Sequence, residues 1–186
     1  MAGTGPNAKV EELFAQMSPP GLPVVSSSAV WSRIQERDPK LLLIDVRSPE
    51  EQQVSMLPGR TLTQARFEAE KEQHKAAKPD IVAYCTLGAR SGKLAQQLTK
   101  EGFQVANLQG GILGWSHEGL PLVARSSDGS ELSTTQVHVW AEQFALQGPG
   151  YQAVWFPTQS PRGLMSWLVS WFWMTKTKHA AASTSS

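Results

Sequence analysis

The chain has a single cysteine, Cys85, in 186 residues. That excludes an internal disulfide and leaves any chemistry at this thiol without a second, resolving thiol in the same chain. No apolar run reaches the roughly 18 residues needed to cross a bilayer. The first twenty residues carry Lys9, Glu11 and Glu12 among small and polar neighbours and are poor in arginine. Neither a secretory signal nor a typical organelle transit peptide is expected there. A cytoplasmic location is the expectation, with peripheral membrane association or an organelle as the alternatives. Charge of one sign is also missing: 17 basic and 16 acidic side chains give a net charge of +1, with no basic block. This speaks against nucleic acid as a partner. No His/Cys/Asp cluster has metal-ligand spacing, and no internal repeat is visible.

What is present centres on Tyr84-Cys85-Thr86-Leu87-Gly88-Ala89-Arg90-Ser91. The apolar run from Asp80 to Tyr84 is rich in β-branched residues and predicts a buried strand. After the loop, Leu94, Ala95 and Leu98 fall at helical spacing, and Gly102 marks a helix end. The cysteine therefore sits at a strand-to-helix turn. Loop amides and a helix N-terminus pointing at the sulfur favour an anion, and a thiolate is an anion.

Taken in order, Val10, Leu13, Phe14 and Met17 predict a short amphipathic helix within an N-terminal extension, residues 1–21. Val24-Val25 is a candidate first strand, and Ser26–Ser28 caps a helix through Ile34. Leu41–Val46 is a continuous apolar run broken only at Asp45, the pattern of a strand covered on both faces in a parallel α/β sheet. Asp45 either caps the following turn or pairs with Arg47, the cap being favoured. Gln64–Lys75 reads as one solvent-exposed helix with His74 on its surface. Phe103–Leu108 is the next strand, Gly110-Gly111 permits close backbone approach, and Trp115 closes the core. Residues 125–186 read as an irregular extension with a polar linker at Ser126–Ser133. Its stretch 163–174 carries three tryptophans and is followed by Lys176 and Lys178. As a helix it would be ~18 Å long against a bilayer core of ~30 Å, too short to span. An interfacial membrane contact and packing on protein are the two readings of this stretch.

Four ordered stretches resemble the rhodaneses, the single-domain sulfurtransferases: Leu43-Ile44-Asp45-Val46-Arg47 followed by Glu51, Leu57-Pro58-Gly59, the loop from Cys85 to Arg90, and Leu108-Gln109-Gly110-Gly111-Ile112-Leu113-Gly114-Trp115. The resemblance covers residues 22–124. It implies a three-layer α/β/α domain with a mainly parallel five-stranded sheet. Ser55-Met56 stands where the family has Gly-His, and Arg60 replaces an alanine; this reads as a loosened surface turn.

The resemblance also implies a reaction: Cys85 accepts a sulfane sulfur from a donor such as thiosulfate, holds it as a persulfide, and passes it to a thiol or cyanide, with no cofactor or metal. Thr86, Leu87, Gly88 and Ala89 supply amides and shape the mouth. Gly88 lets the backbone turn without a Cβ in the cradle. Arg90 either holds an anionic donor or braces the loop through carbonyls or an acidic side chain, and both readings stand. Asp45 and Arg47 are expected as structural support. Two alternatives come from other classes. A phosphatase or arsenate reductase uses a loop one residue longer between cysteine and arginine, wide enough for a tetrahedral oxyanion, whereas four residues separate Cys85 from Arg90. A binding or redox-sensing module, tethered through 163–174, would leave Cys85 without turnover.

Overall fold

The computed structural model describes residues 6–126 and 129–156. Its centre is a five-stranded sheet of β1 (Val24–Val25), β2 (Leu41–Asp45), β3 (Thr61–Thr63), β4 (Asp80–Tyr84) and β5 (Val105–Leu108). The strand order is β1-β5-β4-β2-β3 and every pairing is parallel. All five residues of β2 are buried, so its continuous apolar run reflects a sheet covered on both faces.

The period of two along each strand sorts those side chains into two cores. Leu41, Leu43, Val82, Tyr84 and Leu108 face one way and pack with α1 (Pro6–Met17), α2 (Ser27–Gln35) and α7 (Gly111–His117) through Val10, Phe14, Val30, Ile112 and Trp115. Leu42, Ile44, Ile81, Ala83 and Val105 face the other way, onto α4 (Gln64–Ala69) and α6 (Ala89–Lys100) through Phe67, Leu94, Ala95 and Leu98. The architecture is the expected three-layer α/β/α arrangement. Each fully buried leucine or isoleucine contributes about 2 kcal/mol of transfer free energy.

Local signals explain the element starts. Ser26 Oγ accepts the Ala29 N–H at the head of α2. At α3 (Pro49–Val54), Ser48 and Glu51 form a reciprocal capping box with proline in the first turn. In register, Asp45 lies opposite Tyr84, so β2 and β4 end level with each other. The connection from β2 leads outward to β3, while that from β4 leads the other way to β5. The carboxyl ends of β2 and β4 thus flank the crevice where open α/β sheets place their ligands.

Several expectations need correction. Gln64–Lys75 is not one exposed helix: the chain breaks at Glu70 into α4 and α5 (Lys71–Ala77). That corner carries His74 under cover, 5% exposed, its ring stacked on Phe67 at 5.2 Å and 1°. Ser55 and Met56 do not form a loosened surface turn. Both are buried, the Ser55 carbonyl accepts the Arg47 guanidinium at 2.6 Å, and Met56 exchanges backbone hydrogen bonds with Val123. β6 (Leu122–Arg125) covers the turn through its antiparallel bridge at Val123.

Where the sequence suggests an irregular extension, the described residues hold order. β6 pairs antiparallel with β7 (Glu131–Thr134), and β8 (Gln136–His138) pairs in parallel with β9 (Gln152–Val154). Val137 and Val139 are fully buried in the same core as Tyr84 and Trp115. The tryptophan-rich stretch 163–174 lies outside the described residues. Among the described residues no helix is long and apolar enough to cross a membrane.

Candidate active site

Cys85 follows the last residue of β4 and is 2% exposed. Its carbonyl and that of Thr86 accept the N–H groups of Ile112 and Leu113, at 2.9 and 3.2 Å. Tying these carbonyls to the first turn of α7 turns the loop so that amides face the sulfur. Gly111 makes the approach feasible: its φ is +58°, and a Cβ there would stand 2.4 Å from the Cys85 carbonyl oxygen.

On the sulfur itself, the Gly88 N–H donates to Sγ at 3.1 Å, and the Ser91 hydroxyl lies 3.5 Å away. Gly88 has φ +118°. A Cβ at Gly88 would meet the Phe14 ring at 2.4 Å, so the space it preserves is behind the loop, against α1, rather than inside the cradle. Asn107 locks that back side. Its amide donates to the Gly88 carbonyl and to Ser18 Oγ, at 2.9 and 3.0 Å, while its carbonyl oxygen accepts the Ser91 hydroxyl at 2.7 Å.

Burial pushes the Cys85 thiol up, but the Arg90 charge and the Ser91 and Gly88 amides outweigh it, and the net effect lowers its pKa. Arg90 is the second residue of α6 and is held by Glu51. Its two terminal nitrogens donate to Glu51 Oε2 and Oε1 at 2.7 and 2.8 Å, and Nη2 also reaches Thr86 Oγ1 at 3.1 Å. This bidentate pair bridges the crevice between the loops after β2 and β4. Burial disfavours the Glu51 carboxylate, yet Arg90, His138 and the Ser48 N–H hold it far below the usual carboxylate range.

Asp45 does both things the sequence left open. Its Oδ1 accepts the Arg47 N–H at 3.0 Å, and its Oδ2 takes the Arg47 guanidinium at 2.6 Å, with both side chains fully buried. Burial works against the Arg47 charge, but Asp45 outweighs it and the guanidinium stays protonated. The pair is structural: it pins the turn that delivers α3, and with it Glu51. Leu87 and Thr86 are nearly buried beside Cys85. Tyr84 points away from the loop, its hydroxyl accepting the Leu57 N–H at 3.2 Å.

The structure thus places Cys85, Thr86, Leu87 and Gly88 in one loop, with Ala89 and Arg90 opening α6 and the Asp45–Arg47 pair at the end of the neighbouring strand β2. It adds groups that the sequence reading gave no role. In sequence, Glu51 appears only as part of a signature, Ser91 follows Arg90 with no assigned role, Phe14 belongs to the apolar face of the first helix, and Asn107, His138 and Trp140 carry no local signal. Among the described residues, no group of His, Cys, Asp and Glu side chains is arranged to hold a metal ion.

A buried cysteine cradled between a parallel strand and a helix, with an arginine closing the loop, defines a rhodanese-type α/β domain. Residues 26–118 match the rhodanese-like domain family, and the chain belongs to it. It is 32% identical over 101 residues to a sulfurtransferase of Allochromatium vinosum, spanning 54% of this chain and 94% of that one. Likewise it is 32% identical over 97 residues to the putative sulfurtransferase YtwF of Bacillus subtilis, across 52% of this chain and 93% of the other. In fold it is similar to the thiosulfate sulfurtransferase of Pseudomonas aeruginosa, with a TM-score of 0.50 and 22% identity over 67% of this chain and 23% of that one.

Proposed function

We propose that this protein transfers sulfane sulfur through a persulfide on Cys85. The observation that carries the reading is the sulfur's setting: a thiol of lowered pKa receiving the Gly88 amide at 3.1 Å beside a fixed guanidinium. The Cys85 thiolate attacks the outer sulfur of the donor, thiosulfate being the first to test. The donor's S–S bond breaks, sulfite leaves with the electron pair, and Cys85 carries the outer sulfur as a persulfide. The loop amides then stabilise the negative outer sulfur as an oxyanion hole stabilises oxygen. A thiolate or cyanide attacks that sulfur, and Cys85 departs as the thiolate with which it began.

Arg90 supports this scheme chiefly through its charge. Its bidentate edge is given to Glu51, so it acts as a fixed positive neighbour of the sulfur more than as an open anion clamp. That engagement also counts against a phosphatase, which needs the arginine's edge for a tetrahedral oxyanion. The substrates are accordingly a small sulfur donor and a thiol or cyanide acceptor.

Intact-protein mass spectrometry tests the reading directly because Cys85 is the single cysteine. Exposure to thiosulfate, or to an organic persulfide, should add one sulfur atom, about 32 Da, to the wild type. Cyanide should remove it, and Cys85→Ser should never acquire it. A wild-type mass unchanged by every donor would end the enzymatic reading in favour of a binding module.

A further inference from the structure

Beyond the span that matches the family, β8 and the two residues after it read Val137-His138-Val139-Trp140, with the Val139 N–H still bonded to the Val154 carbonyl. The valines enter the core and are fully buried. Period-two geometry sends the intervening residues to the opposite side of the chain, and that side is the active site. His138, 5% exposed, places Nδ1 3.3 Å from Glu51 Oε1. The Trp140 ring lies over the Arg90 guanidinium, 5.4 Å from its carbon to the ring centroid, and is itself braced edge-to-face by Phe144. Arg90 is therefore gripped on its edge by Glu51 and on its face by Trp140.

We propose that His138 and Trp140 are positioning residues of the active site, supplied by the C-terminal extension: together they hold the Glu51–Arg90 pair so that the guanidinium stays beside the Cys85 sulfur. The physical need is plain. A guanidinium on a long, flexible stem loses most of its effect on a thiolate if it swings toward solvent, and the Arg90 side chain is 29% exposed. A tryptophan face costs no charge and fits the planar cation, so it restrains Arg90 without competing for the sulfur. The Glu51 carboxylate holds only the edge of the planar cation, and Trp140 covers a face that it leaves open. His138 and Trp140 thus act on the reaction through Glu51 and Arg90.

The placement of Arg90 can be tested independently of sulfur transfer, although its catalytic meaning rests on the function proposed above. Iodoacetamide is neutral, and the pH midpoint of its reaction with Cys85 reports how strongly Arg90 favours the thiolate. Among the described residues, Arg90 is the charged group that acts on the sulfur, Glu51 and the Asp45-paired Arg47 act on Arg90, and His138 acts on Glu51; Trp140→Leu alters none of them. In the full chain, Trp140→Leu should move the midpoint upward by about half a unit or more and slow sulfur loading roughly three- to tenfold. Trp140→Phe, which keeps a π face, should stay within about twofold of wild type. His138→Leu should also raise the midpoint, and His138→Asn, which sets an amide nitrogen near the place of Nδ1, should restore it.

A folded Trp140→Leu protein with the wild-type midpoint would overturn the proposal. Should that variant fail to fold, the wild type still decides. The Arg90 Nε–H resonance should show slow solvent exchange and hindered guanidinium rotation, and rapid exchange with free rotation would overturn the proposal. Failure of the wild type to load sulfur, with the midpoint shifts intact, would end the sulfur-transfer reading while leaving the positioning of Arg90 established.

Discussion

Arg90 and Glu51 offer the sharpest energetic test of how this site is held together. Their two hydrogen bonds are 2.7 and 2.8 Å long, and the side chains are 29% and 6% exposed. Truncating one member of a fully buried ion pair costs about 3–5 kcal/mol, whereas exposed pairs contribute less than about 1 kcal/mol. This pair lies nearer the buried limit on the Glu51 side and nearer the surface on the Arg90 side. Arg90→Gln, which strands the more buried charge, should therefore destabilise the fold by about 3 kcal/mol, and Glu51→Gln by about 2 kcal/mol. The double variant leaves no charge stranded, so it should lose only about 3 kcal/mol, a coupling of about 2 kcal/mol. Urea unfolding of the four proteins, followed by circular dichroism, measures the cycle. Losses that simply add, with a coupling below about 0.5 kcal/mol, would refute the reasoning and demote the bridge to an incidental surface contact. The same four proteins separate structure from chemistry. Arg90→Gln and the double variant should both raise the Cys85 alkylation midpoint, because both lack the charge that favours the thiolate.

Three further outcomes follow from particular contacts. Gly111→Ala places a Cβ against the Cys85 carbonyl and asks an L residue to hold φ +58°, so it should lower the melting temperature by several degrees and change Cys85 alkylation; unchanged values for both would show that the loop has slack. The Glu51 carboxyl has its pKa lowered in the folded state, so its contribution to stability is complete above the unfolded value near pH 4.3 and is lost as pH falls below it. Acid unfolding should accordingly be flatter in Glu51→Gln than in wild type across the range below about pH 4, and parallel curves would contradict the assigned shift. Asn107→Leu removes the buried link between Ser18, the Gly88 carbonyl and Ser91, so it should cost about 2 kcal/mol in urea unfolding and perturb the alkylation midpoint. A loss of stability without any change at the sulfur would show that Asn107 supports the fold but not the cradle.

The chain's local order carried the fold a long way by itself. The unbroken apolar run of β2 announced a sheet covered on both faces, because every one of its residues had to be apolar or internally paired. Cys85, Gly88 and Arg90 lie within six consecutive residues, so the loop's chemistry was legible without any long-range information. Short-range signals behave the same way elsewhere: Ser26 and Ser48 cap the helices that follow them, within three residues of the amides they satisfy.

Tertiary structure decided what surrounds that loop. Glu51 reaches Arg90 across 39 positions because β2 and β4 end level, a fact of strand register that no window of sequence contains. His74 looked solvated amid charged neighbours, and only the corner at Glu70 lays it on Phe67. Trp140 and His138 sit in an alternation only four residues long, and their role emerges only when Val137 and Val139 find the core. The physical reason is common to all three. Caps, turns and strand runs are settled by neighbours along the chain, whereas the partner of a charge or a ring is settled by packing, which brings distant residues together only once the sheet has formed.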